Sequence, residues 1–262
     1  MKILPTLLCS LLLAGTAFAK LHDKEVEYSA NGLTMKGYIA YDDAVTGKRP
    51  GILVVHEWWG YNNYARKRAK MLAELGYTAM AVDMYGNGKQ AEHPDDAGKF
   101  SAAVMKNLPE AKARFLAGMH LLQEQPTVDG TNIGAIGYCF GGGVVLTMAR
   151  LGVDLKGVVS FHGMLGTQTP AQPGDVKAKI LVCAGAADPF VPKEAVEGFR
   201  KEMDSAKVDY TLISYPGAKH AFTNPNADTY GKKFNLPLVY NEKADKGSWS
   251  AMKDFFKKVF SK

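Results

Sequence analysis

The fold is decided by Gly137-Tyr138-Cys139-Phe140-Gly141, in which glycines lie two residues before and two residues after a cysteine. A short apolar run precedes this segment, and an apolar helical periodicity follows it. A glycine-flanked nucleophile between a strand and a helix has the spacing of a nucleophile elbow, a sharp and strained turn that tolerates only small flanking residues. The spacing predicts Cys139 as a nucleophile at a helix N-terminus, where the helix dipole favours the thiolate over the thiol.

Apolar β-branched runs alternate with helical periodicities on both sides of this segment. We expect strands at residues 51–55, 77–83, 132–138, 157–161, 179–184 and 209–215. We expect helices between and after them, with their main parts at residues 65–72, 111–122, 141–150, 192–206 and 252–260. This alternation predicts an α/β fold with a mostly parallel sheet, helices on both faces and an antiparallel edge hairpin at residues 23–45. No linker or repeat divides residues 20–262, so we expect one domain.

Two polar residues follow later strands in the order that an elbow nucleophile requires. Asp188 follows the strand ending near residue 184, and His220 follows the strand ending near residue 215. Taken singly, an aspartate before a proline is as commonly a turn residue, and a histidine in a glycine-containing loop is more commonly a surface residue. Taken together, at consecutive strand ends in the order nucleophile, acid and histidine, they favour a catalytic triad of Cys139, Asp188 and His220.

The first nineteen residues have the features of a secretory signal peptide. Lys2 is followed by a short apolar run, and Ala17-Phe18-Ala19 is a small-x-small cleavage site. The apolar run is too short to span a bilayer. We therefore expect a periplasmic or secreted protein that begins at residue 20 and has no membrane contact after cleavage. Cys9 lies inside the apolar run and does not favour lipidation.

The remaining cysteines, Cys139 and Cys183, raise the alternative of a disulfide, because export places a chain in an oxidising compartment. One strand of the predicted sheet lies between the two strands that carry them. Two strand spacings are roughly 9.5 Å, which exceeds the roughly 7 Å that a disulfide can bridge between Cα atoms. We therefore expect two free thiols, with Cys183 packed inside its strand.

The chain has a formal net charge of +6. Its lysines are scattered along the sequence, and those at residues 253–262 lie on an amphipathic helix. This distribution is typical of a solvated surface. No nucleic-acid motif accompanies the charge, so we expect no nucleic-acid partner.

Four segments resemble the dienelactone hydrolase family, and the resemblance extends from about residue 51 to the C-terminus. They are V-V-H-E-W-W-G at residues 54–60, G-Y-C-F-G-G-G at 137–143, G-A-A-D-P at 185–189 and G-A-K-H-A-F at 217–222. The resemblance implies an α/β-hydrolase fold and the hydrolysis of a small ester or lactone without a cofactor. Residues 163–178, where lids insert in this fold, form a short segment, so we expect no large lid and an open cleft.

The resemblance also implies the roles of individual residues. Cys139 would be the nucleophile, His220 the base and Asp188 the acid that orients the histidine. Glu57 would restrain the resting thiol until a substrate binds. The oxyanion hole would consist of two backbone N–H groups, those of Phe140 and Trp58.

His56-Glu57 also begins a pattern similar to the zinc motif H-E-x-x-H. The second histidine of that motif is replaced by Gly60, and the segment follows a strand instead of lying on a helix. The remaining histidines have no metal-ligand spacing, so we expect no metal.

The sequence lacks two arginines with which family members that act on carboxylated lactones bind the substrate. Gly86 follows the D-M-Y segment, and Asn224 lies four residues beyond His220. A dicarboxylate substrate is therefore not favoured, because bidentate charge pairing is missing. We expect an apolar pocket, and the candidates near strand ends are Trp59, Tyr85, Phe190 and Phe222, with His162 as a polar contact.

Two other classes of function remain open. A thiol-redox protein would also use an activated cysteine, although the sequence has no C-x-x-C motif. A non-catalytic binding protein could use the same scaffold, because a fold alone does not establish activity. A peptidase is possible with the same triad, and nothing in the sequence selects for it. We expect a monomer or small homo-oligomer.

Overall fold

An eight-stranded sheet organises residues 20–261, the part of the chain that the computed structural model describes. The strands are β1 (Leu21–Ala30), β2 (Leu33–Asp42), β3 (Arg49–Val55), β4 (Thr78–Val82), β5 (Val128–Tyr138), β6 (Gly157–Phe161), β7 (Lys179–Gly185) and β8 (Tyr210–Tyr215). Their order across the sheet is β1-β2-β4-β3-β5-β6-β7-β8. The β1–β2 and β2–β4 pairs are antiparallel and the other pairs are parallel, which confirms the edge hairpin.

Seven helices cover the two faces of the sheet in the described residues. They are α1 (Asn63–Ala73), α2 (Pro94–Lys106), α3 (Leu108–Gln123), α4 (Phe140–Arg150), α5 (Lys193–Ser205), α6 (Ala227–Phe234) and α7 (Glu242–Val259). The predicted α/β fold with one domain and a mostly parallel sheet is confirmed. The sequence analysis did not predict α2 and α6.

The central strand β3 explains why helices lie on both faces. Its side chains at residues 51–55 are all buried. Leu53 and Val55 pack into one hydrophobic core, whereas Ile52 and Val54 pack into the other. A parallel strand with both faces covered has a continuous apolar sequence instead of an alternating one.

The two described cysteines are both free. Cys139 lies between β5 and α4, and Cys183 lies within β7, with β6 between the two strands. The prediction of two free thiols, with Cys183 as a packing residue, is therefore confirmed. Burial raises the pKa of the Cys183 thiol to about 12.

The predicted signal peptide, with Cys9, lies outside the described residues. Within residues 20–261, no helix has the length and apolarity that crossing a bilayer requires. The same residues contain no group of three or more His, Cys, Asp or Glu side chains that could hold a metal ion.

Candidate active site

The chemically important side chains follow five strands at their carboxyl ends. Glu57 follows β3, Cys139 follows β5, His162 follows β6, Asp188 follows β7 and His220 follows β8. These strands are consecutive in the sheet. Ligand sites of open α/β sheets lie at this edge, and the loops here bring the predicted triad residues together.

The turn at Cys139 has the geometry that its glycine neighbours predict. Cys139 has φ 54° and ψ −116°, a backbone conformation that residues other than glycine rarely adopt. A Cβ atom on Gly137 would lie 2.1 Å from the Gly141 carbonyl oxygen, and one on Gly141 would lie 2.3 Å from the Val55 carbonyl oxygen. Both flanking positions therefore need glycine, because backbone atoms occupy the space of a side chain.

Asp188 and His220 form a buried hydrogen-bonded pair. The His220 Nδ1–H donates to Asp188 Oδ2 at 2.7 Å. The other carboxylate oxygen of Asp188 accepts from the Phe190 backbone N–H at 2.8 Å. With Nδ1 as the donor, the Nε2 side of the imidazole is available to the thiol. The carboxylate therefore fixes both the orientation and the tautomer of the histidine.

The His220 imidazole and the Cys139 side chain line the same cavity. Burial by itself lowers the pKa of His220. The Cys139 thiolate and the Asp188 carboxylate outweigh this effect and raise the pKa to about 10. These two neighbours therefore favour the protonated form of the imidazole.

Glu57 is buried beside this group. Its Oε2 atom accepts a hydrogen bond of 2.6 Å from Asn224 Nδ2. Burial raises the pKa of Glu57 to about 7, although Asn224 and the positive charges of His220 and Arg68 oppose the rise. The sequence analysis treated Asn224 only as a missing arginine and did not identify it as the partner of Glu57.

His162 connects the elbow to a buried polar network. Its Nδ1 atom accepts from the Cys139 backbone N–H at 3.1 Å, and its Nε2–H donates to Thr223 Oγ1 at 2.7 Å. The Thr223 and Tyr64 hydroxyls share a hydrogen bond of 2.6 Å, and Arg68 donates to the Thr223 carbonyl oxygen at 2.6 Å. Burial lowers the pKa of His162 well below its usual value, and the His220 charge adds to the effect. The imidazole is therefore a neutral acceptor.

A cavity of about 310 Å³ opens in front of the cysteine. Its lining residues are Trp58, Ser101, Ala102, Met105, Cys139, Phe140, Met164, Phe190, His220 and Leu238. Ser101, Ala102 and Met105 come from α2, the helix that the sequence analysis missed. Of the five predicted pocket residues, Phe190 lines the cavity.

The other four predicted pocket residues are buried and do not line this cavity, which corrects the sequence-based prediction. They are Trp59, Tyr85, His162 and Phe222. The Trp59 ring stacks on Tyr230 with centroids 4.5 Å apart. The Tyr85 hydroxyl donates to the Trp58 carbonyl oxygen at 2.9 Å. Phe222 is fully buried in the core. A place near a strand end predicts proximity to the site, and it does not predict which way a side chain points.

The chain is similar to known proteins over nearly all of its length. The dienelactone hydrolase family model matches residues 35–260. A solved structure called m3DLH is 35% identical, covers 92% of this chain and 99% of its own, and has a TM-score of 0.86. A dienelactone hydrolase-like promiscuous phosphotriesterase from metagenomic libraries is 34% identical, with the same coverage and a TM-score of 0.85. Protein usf of Aquifex pyrophilus is 30% identical over 243 residues, which are 90% of this chain and 98% of that protein.

Proposed function

The chain belongs to the dienelactone hydrolase family and is a carboxylic-ester hydrolase, and from this premise we propose that it cleaves a small ester or lactone through a Cys139–His220–Asp188 triad. The observation that carries the proposal is the buried Asp188–His220 hydrogen bond at a cavity that His220 and Cys139 both line. The reaction passes through a thioester acyl-enzyme.

In the first half of the reaction, the Cys139 thiolate attacks the ester carbonyl carbon and forms a carbon–sulfur bond. Two backbone N–H groups, those of Phe140 and Trp58, stabilise the oxyanion. Both residues line the cavity. The carbon–oxygen bond then breaks, and the His220 imidazolium donates its proton to the leaving alkoxide.

In the second half, neutral His220 removes a proton from water, and the resulting hydroxide attacks the thioester carbonyl carbon. The carbon–sulfur bond breaks, which releases the carboxylic acid and restores the thiolate–imidazolium pair. Asp188 keeps the imidazole in one tautomer throughout and stabilises its positive charge. Glu57, whose pKa is near 7, restrains the resting thiol before a substrate binds.

The test is hydrolysis of p-nitrophenyl acetate by the wild-type protein and by Cys139→Ala. We expect activity in the wild type, loss of at least about 10³-fold in the variant, and an acetyl group on Cys139 by mass spectrometry after rapid quenching. Equal rates in the two proteins would contradict the nucleophile assignment. Consumption of peroxide without ester hydrolysis would favour a thiol-redox protein, and binding without turnover would favour a non-catalytic binding protein.

A second candidate activity is the hydrolysis of neutral phosphotriesters. Among the lining residues that the structure describes, His220 alone can carry a positive charge. The cavity therefore suits a neutral ester of phosphorus as well as one of carbon, and the promiscuous phosphotriesterase described above is a 34% identical relative. Release of p-nitrophenol from diethyl p-nitrophenyl phosphate, abolished by Cys139→Ala, would support this activity.

We also propose that the protein is exported and that its signal peptide is cleaved after Ala19. The support is the sequence pattern at residues 1–19. N-terminal sequencing of the protein from a fractionated bacterial host tests it. A mature N-terminus at Lys20 in the periplasmic or secreted fraction is the expected result, whereas an intact N-terminus in the cytoplasm would contradict it.

A further inference from the structure

The mouth of the cavity carries an unusual share of the exposed apolar surface. Four large hydrophobic side chains are strongly exposed within residues 20–261, and three of them line this cavity: Met105 at 38%, Met164 at 52% and Phe190 at 40%. We call these three residues the apolar rim. They come from α2, the β6–β7 connection and the β7–α5 connection, so three separate segments place apolar side chains around one opening.

The interior of the cavity provides few polar or charged partners for a charged group of a substrate. The Ser101 hydroxyl donates to the Ala97 carbonyl oxygen at 2.8 Å and therefore is engaged by its own helix. Cys139 and His220 are the reacting groups. A second negative charge near His220 comes from Glu57 when it ionises. Among the described lining residues, His220 alone could carry a positive charge toward a substrate carboxylate, and it already pairs with Asp188. A substrate carboxylate would therefore lose water here and gain no free cationic partner.

From these observations we propose that the enzyme selects uncharged esters whose acyl group is apolar and rests against Met105 and Met164. This inference rests on the proposed function and names the substrate class. Methionine side chains adapt to different apolar shapes, which suits a rim that must accept an acyl chain. The cavity volume of about 310 Å³ is at the small end for ligand sites, so the acyl group is short.

The first experiment compares two esters with acyl chains of equal length, p-nitrophenyl butyrate and p-nitrophenyl hemisuccinate. The second ester differs by ending in a carboxylate. We expect kcat/KM for the butyrate to exceed that for the hemisuccinate by about 10- to 100-fold, because the cavity offers the carboxylate no cation besides His220, which Asp188 already engages. Equal values, or a preference for the hemisuccinate, would overturn the proposal.

The second experiment tests the rim with Met105→Ala, Met164→Ala and a matched control, Leu75→Ala. Leu75 is exposed to 40% and lies outside the cavity. Wild-type kcat/KM should rise up to about fifteenfold from p-nitrophenyl acetate to p-nitrophenyl butyrate, since the butyrate has two more methylenes and each buried methylene contributes about fourfold. Both methionine variants should lose most of this gain, and Leu75→Ala should keep it. An unchanged gain in both methionine variants would contradict the assignment.

The results separate the substrate class from the reaction itself. Hydrolysis of acetate and butyrate that disappears in Cys139→Ala supports the proposed function whatever the preference among acyl groups. Hydrolysis that persists in Cys139→Ala would contradict the proposed function. A further variant, Met105→Arg, places a cation at the rim, and we expect it to raise kcat/KM for the hemisuccinate relative to the butyrate by about tenfold.

A different observation, the hydrogen bond from the Cys139 backbone to His162, carries a second inference. The Cys139 N–H donates both to the Phe161 carbonyl oxygen at 3.0 Å and to His162 Nδ1 at 3.1 Å. His162 itself has φ 41° and lies between the elbow and the catalytic histidine, with its ring centroid 5.3 Å from that of His220. An acceptor in this place constrains the peptide that orients the thiol.

We infer that His162 is a positioning residue that holds the strained backbone of Cys139 through its neutral Nδ1 atom. Thr223 fixes the other ring nitrogen, and Arg68 fixes Thr223 through its carbonyl oxygen. Arg68 is in turn anchored by Asp245 Oδ1 at 2.6 Å. The nucleophile is therefore tied through buried hydrogen bonds to helices α1 and α7.

The test compares His162→Asn with His162→Leu. Asparagine tolerates positive φ and offers an acceptor near the position of Nδ1, whereas leucine does neither. We expect His162→Leu to lower kcat roughly 10- to 100-fold with KM changed less than about threefold, because the thiol is misplaced. His162→Asn should recover most of the loss.

Thr223→Val provides the same test if the leucine variant does not fold. It removes the acceptor of the His162 Nε2–H while keeping a similar shape, and we expect a smaller loss of kcat at unchanged KM. Equal impairment of the asparagine and leucine variants, or full kcat in Thr223→Val, would overturn the assignment of His162 as a positioning residue.

Discussion

The residues on the two sides of Cys139 differ in polarity and in exposure to solvent. Behind the cysteine, His162, Thr223 and Arg68 are buried polar residues whose side chains hydrogen bond to one another or to the backbone. In front of it, the apolar rim of Met105, Met164 and Phe190 is exposed to solvent. Buried hydrogen bonds hold one geometry because breaking them is costly. Exposed apolar side chains have no such restriction and can move when a substrate enters.

This difference predicts which quantity a mutation on each side should change. Changes behind the cysteine should lower kcat or stability, because they disturb a fixed arrangement of reacting groups. Changes at the apolar rim should alter KM and the choice of acyl group, because they remove contact area that substrates share with the transition state.

The largest loss of activity is expected from a change at Asp188, which accepts a hydrogen bond from His220. Asp188→Asn keeps the size of the side chain and removes its negative charge, so the imidazole loses the preferred tautomer and the partner of its positive charge. We expect kcat to fall about 10³- to 10⁴-fold in p-nitrophenyl acetate hydrolysis. A normal circular dichroism spectrum is the control. A loss of less than tenfold would show that the pair is structural.

The second-largest effect is a loss of stability from Gly141→Ala, in the turn that carries Cys139. The added Cβ would meet the Val55 carbonyl oxygen at 2.3 Å and the His56 carbonyl oxygen at 2.6 Å, and neither backbone can withdraw. We expect the free energy of unfolding to fall by about 3 kcal/mol, measured by urea denaturation.

The same helix offers a matched control, Gly143→Ala. A Cβ at Gly143 would lie 3.6 Å from its nearest neighbour, which is ordinary contact. Alanine is the better helix former, so this variant should be neutral or more stable by up to about 1 kcal/mol. Equal destabilisation of the two variants would contradict a specific clash at Gly141.

A pH-dependent effect of similar size is expected at Glu57. Its pKa is about 7 in the folded protein against 4.5 as the reference value, so folding favours the protonated carboxyl. Its contribution to stability is therefore lost as pH rises from about 4.5 through 7. The loss is on the order of 3 kcal/mol by pH 8. Glu57→Gln should reduce the fall in unfolding free energy between pH 5 and pH 8 by about this amount.

Urea denaturation of the two proteins at both pH values provides the measurement. His220 also contributes to the pH dependence, since its raised pKa gives stability that is lost as pH rises through about 10. That contribution is present in both proteins, so the comparison reports Glu57 together with its charge interaction with His220. An identical fall in both proteins would show that Glu57 is ionised throughout this range.

Most of the fold could be predicted from the sequence because its signals are local. The six predicted strands of the parallel part follow from apolar runs. Helix α2 was missed because only Ala97 and Val104 are buried along it, which is a weak apolar stripe. Its N-terminus nevertheless had a usable signal, since Pro94 stands in the first turn and two aspartates follow it.

The placement of Cys139, Asp188 and His220 at one edge of the sheet could be predicted because chain order and strand ends restrict where such residues occur. The pocket could not be predicted from the sequence. Its apolar rim comes from α2 and from the β6–β7 and β7–α5 connections, and packing across the whole domain brings these segments together. His162 shows the limit clearly. Its place after β6 was predicted, but its role depends on a hydrogen bond to Cys139 from a neighbouring strand end, which no local pattern encodes.

The smallest effect is expected at the front of the site, from Phe190→Ala. The side chain is 40% exposed and its ring lies edge-on to His220, with centroids 5.0 Å apart. The bond from the Phe190 N–H to Asp188 belongs to the backbone and survives the substitution. We therefore expect KM for p-nitrophenyl butyrate to rise about three- to tenfold, from about 1 kcal/mol of lost apolar contact, with kcat less affected. Phe190→Leu should restore KM if apolar area alone matters. A fall in kcat of more than tenfold in both variants would instead place Phe190 with the residues behind the cysteine, because it would mean that the ring holds His220 in place.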